Sequence, residues 1–445
     1  MGLLDKLKNK HFLSLAGNGF LAVFGLLTMK TIYHFMTLSD AGLYMYFLLI
    51  LSLSDSLRNG MLSTATVKFY AGLDPEKEEG KGVLGAVWFL AIAITLLYLV
   101  ADGILILAFA GSAKTELHYY LNWLGITFLS SLPFSVIYWK LQAEENYSSL
   151  LWLRLVNSLS TISAFLVLAY FKNFNLETAF LYNFLTNCLT SAVGLLLGMS
   201  KIKTVFSYSK AKAKEIFHFG KFSLSSSFLS TMVGSVDGFI IKGLLGNEAF
   251  AIFQLPVKIM TIFDIPLRSF VATGLSSMAA ALNLGTIADV KKIMLKYAGM
   301  LTMAFVPVVA IGILGNKLAI IMLGGYKMLD TSASFILIFM LCYSLIAPID
   351  RFNGVTLDVI HKPKYNFYKV IVMLTANTIG DFVALYLFND VRAIVIGLFA
   401  SYLSAILYGY WVLNRFMSYT FVEILRVGYA DTKELVAGFL NKKGN

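Results

Sequence analysis

Twelve long apolar runs dominate this sequence, and each is about as long as a helix must be to cross a ~30 Å hydrocarbon layer, roughly 20 residues. They fall at 12–36, 40–66, 83–110, 117–140, 147–171, 176–200, 219–245, 248–280, 293–315, 331–350, 366–388 and 391–416. Lipid offers no partner to a backbone N–H or C=O, so only helices and closed barrels can span it. Membrane barrel strands alternate with period two over short segments, whereas these runs are continuously apolar. The expectation is an all-α polytopic membrane protein with 12 transmembrane helices. Composition agrees: 58% of the 445 residues are hydrophobic and only 14% are charged, against roughly 25% charged in a soluble domain. A soluble enzyme, a nucleic-acid-binding module and a disordered chain are thereby excluded.

The net charge of +11 is a topology signal rather than a nucleic-acid footprint, because the basic residues sit mainly in short loops between the runs. An even number of spans puts both termini on one side. Placing them inside leaves only Lys114, Lys172, Lys317, Lys327 and Arg392 among the outer loops, so both ends are expected to be cytoplasmic. Residues 1–11 read as a short basic interfacial helix, with no cleavable signal segment. The basic loop 201–218 divides the chain into an N-terminal six-helix lobe (1–200) and a C-terminal six-helix lobe (219–416). The tail, 417–445, reads as an amphipathic helix on the inner surface. Cys188 and Cys342 lie inside apolar runs, so no disulfide is indicated.

The halves look related. LSDAGLYMYF (38–47) joins the first two spans and LGNEAFAIFQL (245–255) joins the seventh and eighth. An offset of 209 residues carries Gly42-Leu43-Tyr44 onto Ala251-Ile252-Phe253 and Asp55 onto Asp264, and one residue of slip carries Arg58 onto Arg268. A charge at mid-membrane costs ~2.5–3.5 kcal/mol on insertion scales and must face protein, water or a partner. Lys30, Asp55, Arg58, Asp237, Lys242, Lys258, Asp264 and Arg268 concentrate on spans 1, 2, 7 and 8, which suggests two pseudo-symmetric lobes around one polar central cavity. Asp55 with Arg58, and Asp264 with Arg268, are also spaced to pair along their own helices. Pro256 and Pro266 bracket Asp264, and Asn59-Gly60 follow Arg58, so both second spans are expected to bend.

Catalytic signatures are missing. There is no phosphate-binding G-x-x-x-x-G-K-[ST], no H-E-x-x-H, no Cys/His cluster, and no loop large enough for a catalytic domain, so an enzyme is not expected and no cofactor is implied.

The six-plus-six plan, the basic central loop, L-S-D-A-G-L-Y at 38–44 and FGKFSLSSSFLSTMVGSVDGFIIKGLLGNEAFAIFQL at 219–255 resemble the O-antigen type of polysaccharide flippase, within the multidrug/oligosaccharidyl-lipid/polysaccharide exporter superfamily. Relatives often carry D-x-x-x-x-x-x-L-G where this chain runs from Asp237 to Leu245-Gly246, slightly longer. The resemblance implies a protein of the bacterial inner membrane, a V-shaped two-lobe fold and alternating access. It implies a substrate, an undecaprenyl-diphosphate-linked oligosaccharide moved from the inner to the outer leaflet. Arg58, Arg268, Lys258 and Lys30 would then bind the diphosphate. Asp55, Asp237 and Asp264 would pair with these bases or take a coupling H⁺ or Na⁺. Membrane lipids and a glycan polymerase or glycosyltransferases would be partners. The alternatives are a cation-coupled multidrug antiporter of the same superfamily and a non-transporting scaffold for glycan synthesis enzymes.

Overall fold

The computed structural model describes residues 10–74, 76–109 and 116–441, and among them every regular element is helical. The helices are α1 (Lys10–Phe35), α2 (Leu38–Tyr70), α3 (Glu78–Ala108), α4 (Glu116–Ser130), α5 (Leu132–Ala143), α6 (Tyr147–Tyr170), α7 (Leu176–Leu196) and α8 (Lys210–Val233), followed by α9 (Val236–Leu284), α10 (Ile287–Leu314), α11 (Asn316–Gly324), α12 (Ala333–Ser344), α13 (Ala347–Val359), α14 (Pro363–Phe388), α15 (Ile394–Leu413) and α16 (Phe421–Asn441). Among the described residues seven are long and apolar enough to cross a membrane, or up to nine spans if each of two bent pairs counts as one. The chain is a multi-span all-α membrane protein. The other three expected spans are helical too: α1, the hydroxyl-rich α2, and 219–245, which the structure builds from α8 and the start of α9. The interfacial helix expected at 1–11 lies almost wholly outside the described residues.

The two bends have one cause. Proline lacks an N–H and crowds the carbonyl four residues back, so a helix stops before it and restarts with it in the first turn. Pro133 makes α4 and α5 meet at 42°, and Pro348 makes α12 and α13 meet at 48°. These fall in the fourth span of each expected half.

The chain forms two compact units, Met1–Ser235 and Val236–Asn445. The seventh expected span is therefore not continuous. It breaks at Gly234-Ser235, and α8 packs with the first unit, against α2 and α3. The expected lobe boundary at 201–218 is thus not where the compact units part. Residues 202–207 form a 3₁₀ turn seated on α3, where a Cβ on Gly85 would lie 2.2 Å from the Thr204 carbonyl oxygen. Trp88 Nε1 donates to the Ser200 carbonyl at 3.0 Å, and Lys201 pairs with Glu76 at 2.6 Å, holding the Glu76 carboxyl below its ordinary range.

Lipid tails are as apolar as leucine, so small residues that admit close backbones hold membrane helices together. In the first unit, a Cβ on Gly220 of α8 would lie 2.5 Å from the Met61 carbonyl oxygen of α2, and the buried Trp88, Trp139 and Ile216 fill the core beside it. In the second unit, α14 and α15 approach so closely that a Cβ on Gly380 would lie 2.8 Å from the Gly397 Cα. Gly246, at φ +85°, interrupts α9 in the left-handed region open to glycine, so the seventh and eighth expected spans are joined through a single non-helical residue. The amphipathic tail helix is α16. Thr420 and Glu423 cap it reciprocally, Glu423 pairs with Lys291 at 3.1 Å, and Gly428 lies against Gly299 of α10. The Thr420 backbone N–H, then Lys291, hold the Glu423 carboxyl below its ordinary range.

Candidate functional site

The charged residues of the spans sit in contrasting surroundings. On α2, Arg58 is 0% exposed. Its Nη2 donates to Asp55 Oδ1 at 2.8 Å, Ser131 Oγ at 2.7 Å and Ser135 Oγ at 3.1 Å. Its Nη1 donates to the Phe128 carbonyl at 3.1 Å and to Thr95 Oγ1 at 3.4 Å, and the guanidinium lies 4.1 Å from the centre of the Phe128 ring. One side chain thus ties α2 to α3 and grips the α4–α5 bend on both sides. This corrects the expectation for Arg58: a guanidinium with no exposed surface, both of whose Nη atoms are taken up inside the unit, does not meet a phosphate, although its buried Nε has no hydrogen-bond partner among the described residues. It holds the bend and positions Asp55.

Asp55 faces the other way. Its side chain is 32% exposed and lines a cavity of about 580 Å³ inside the first unit. That size falls within the roughly 300–1,000 Å³ usual for small-molecule sites. The lining comes from α2 (Leu48, Leu51, Ser52, Asp55, Ser56, Asn59, Gly60, Ser63 and Thr64) and α8 (Ser227 and Thr231). Positions three and four apart share a helix face, so Ser52, Asp55, Ser56, Asn59 and Ser63 form a continuous polar stripe along α2. Asn59 is fixed by Trp139, whose Nε1 donates to its Oδ1 at 2.8 Å. The other expected phosphate ligand of this unit, Lys30, is exposed on α1 and is not part of this lining.

In the second unit, Asp264 and Arg268 pair only loosely, at 3.8 Å, with side chains 48% and 83% exposed. Lys258 is exposed one to three turns before them on the same helix, and Lys242 is tied to Asn247. Arg58 and Arg268, matched in the sequence, therefore differ in kind: one is spent inside its unit and the other is presented outward.

Asp237, in the first turn of α9, joins a cluster that the sequence reading only half identified. Asn377 of α14 donates to Asp237 and, at 2.8 Å, to Asp381 Oδ2, so one amide bridges the two carboxyl groups. All three residues are buried, at 7%, 3% and 0% exposure for Asp237, Asn377 and Asp381. The second oxygen of Asp381 has no hydrogen-bond partner among the described residues. Two buried carboxyl groups held on one amide disfavour joint ionisation unless a proton or a cation lies between them. Asp381 is not among the charged residues that the sequence groups on spans 1, 2, 7 and 8. The available signal was the N-x-x-x-D spacing of Asn377 and Asp381, one turn apart on a helix face. A second buried pair, Lys369 Nζ on Asp350 Oδ1 at 2.6 Å, joins α14 to α13 just after its bend. No group of three or more His, Cys, Asp or Glu residues able to hold a metal occurs among the described residues.

Comparison with known proteins gives a consistent picture. Residues 34–333 match a family described as polysaccharide biosynthesis protein. No curated protein matches. Among solved structures, the chain superposes on a multidrug resistance MATE family transporter of the MOP superfamily in its inward-facing conformation, at a TM-score of 0.71 and 15% identity, covering 90% of this chain and 96% of that one. It superposes on the lipid II flippase MurJ in an inward closed conformation at a TM-score of 0.69 and 13% identity, covering 96% and 92%. A MOP superfamily transporter from Pyrococcus furiosus, described as having a binding pocket of reverse polarity, matches at a TM-score of 0.61 and 18% identity, covering 91% and 93%. At these identities the likeness shows the fold.

Proposed function

The chain belongs to the polysaccharide biosynthesis protein family, and from that premise we propose that it is a flippase, moving a lipid-diphosphate-linked oligosaccharide from the inner to the outer leaflet of the bacterial inner membrane by alternating access. The carrying observation is the polar cavity on α2 and α8. A membrane helix exposes a stripe of hydroxyls, an amide and a carboxylate only where water or a polar ligand replaces lipid. The expected plan supports the same reading: twelve spans in two pseudo-symmetric lobes, with both termini cytoplasmic. Arg268 and Lys258, exposed on a span of the second unit, supply cations for the diphosphate. Asp237, Asn377 and Asp381 supply a carboxyl pair for a coupling H⁺ or Na⁺.

The test is a strain carrying Arg268→Ala with Lys258→Ala. Surface glycan should fall at least tenfold and lipid-linked precursor should accumulate, with protein level and melting temperature near wild type. Normal export by a well-folded double variant would defeat the assigned phosphate ligands. One observation favours a second reading, a cation-coupled multidrug antiporter: among the described residues, Asp55 is the single charged member of the cavity lining. A deletion strain that loses drug tolerance yet keeps its surface glycan would establish it.

A further inference from the structure

Resting on the flippase reading, we propose that the α2–α8 cavity is the saccharide subsite of that substrate, and that it accepts uncharged or amino-bearing sugars while rejecting acidic ones. Among the described residues the lining has no cation to meet a phosphate. Arg58, which pairs with one oxygen of Asp55, is wholly buried and aimed at the α4–α5 bend. The diphosphate must therefore bind elsewhere, which leaves this cavity to the other polar part of the molecule.

Its chemistry suits a sugar. Serine and threonine hydroxyls and the asparagine amide both donate and accept, as sugar hydroxyls do. The Ser52, Ser63, Thr64 and Ser227 hydroxyls make no hydrogen bond among the described residues, so they can turn toward a ligand at little cost. Ser52 and Ser63 are eleven residues apart on α2, about 16 Å at 1.5 Å per residue, so the stripe is long enough for more than one ring. Asp55 sets the charge preference. One of its oxygens accepts from Arg58 while the side chain remains open to the cavity. That carboxylate attracts a hydroxyl or ammonium and repels a uronate, and the surrounding protein screens the repulsion less than bulk water would.

The experiment uses the full chain in nanodiscs and two probes: undecaprenyl diphosphate without sugar, and the lipid-linked oligosaccharide extracted from the deletion strain. The variant is Ser63→Ala/Thr64→Val/Ser227→Ala, whose lost hydroxyls hold nothing else in place. Loss of two or three neutral hydrogen bonds should weaken oligosaccharide binding by at least about tenfold, with undecaprenyl diphosphate binding unchanged within about twofold. No loss, or equal loss for both probes, overturns the subsite and leaves the flippase reading standing. Binding of neither probe by the unaltered protein would overturn that reading, and this proposal with it. In a second arm, undecaprenyl diphosphate bearing N-acetylglucosamine should bind about tenfold more tightly than the same lipid bearing glucuronic acid. Equal binding would overturn the charge selection.

Discussion

Replacing Arg58 by Met and Asp55 by Leu, singly and together, should produce a specific order of stabilities. In Arg58→Met the partners lose little. Ser131 Oγ still donates to the Phe128 carbonyl at 3.0 Å, Ser135 Oγ to the Ser131 carbonyl at 3.0 Å, and Thr95 Oγ1 to the Ala91 carbonyl at 2.8 Å. Asp55 loses its counter-charge but keeps a wet face, being 32% exposed. The cost is that of one partly solvated orphan, about 1–3 kcal/mol. Asp55→Leu is worse. It leaves a guanidinium with 0% exposure among neutral acceptors only, and breaking a buried pair in this way costs about 3–5 kcal/mol. The double variant removes both charges and should lie well below the sum of the singles, because apolar replacement of a whole buried pair is often close to neutral. Reversible SDS titration of the purified protein in mixed micelles reads all three. Arg58→Met costing more than Asp55→Leu, or a double variant equal to the sum, would refute the assignment of Arg58 as a buried clamp.

Two further outcomes follow from close approaches and from the carboxyl pair. Gly428→Leu places a side chain where α16 meets α10; even a Cβ on Gly428 would lie 2.3 Å from the Gly299 backbone. It should cost about 1–3 kcal/mol through overpacking and open the tail to limited proteolysis, and a protease pattern identical to wild type would count against the docking. Asp237→Asn and Asp381→Asn should each abolish the dependence of transport on a Na⁺ or proton gradient while leaving downhill exchange in proteoliposomes; retained gradient dependence in both would place coupling elsewhere.

Much of the architecture was legible because lipid imposes it. Continuous apolarity admits helices alone, but the expected bends fall in the second spans, at Pro256, Pro266 and Asn59-Gly60, whereas the bent pairs lie at Pro133 and Pro348 in the fourth. The D-x-x-R and D-x-x-x-R pairs along α2 and α9 were legible as well, since neighbours one turn apart must meet. What spacing cannot report is which way a helix face turns. Arg58 and Arg268 have similar sequence settings, yet the partners that bury Arg58 come from 37 to 77 residues away. The Asp237–Asn377 contact closes over 140 residues, and no local pattern on α9 points to α14. The cavity hydroxyls escaped for another reason: serine and threonine are tolerated anywhere in a membrane helix, where they bond to their own backbone. Only the pairing of α2 with α8 shows that one set of them lines a common space.

The position of α8 carries a consequence for cutting the polypeptide. If the molecule arose by doubling of a six-span ancestor, the natural seam would be the lysine-rich stretch near 201–218. The folded chain has moved that seam, because α8 completes the first body and the join runs through Gly234-Ser235. Fragments expressed separately and asked to reassociate should therefore succeed when divided after residue 235. A division near residue 209 strips α2 and α3 of a helix they hold at glycine distance.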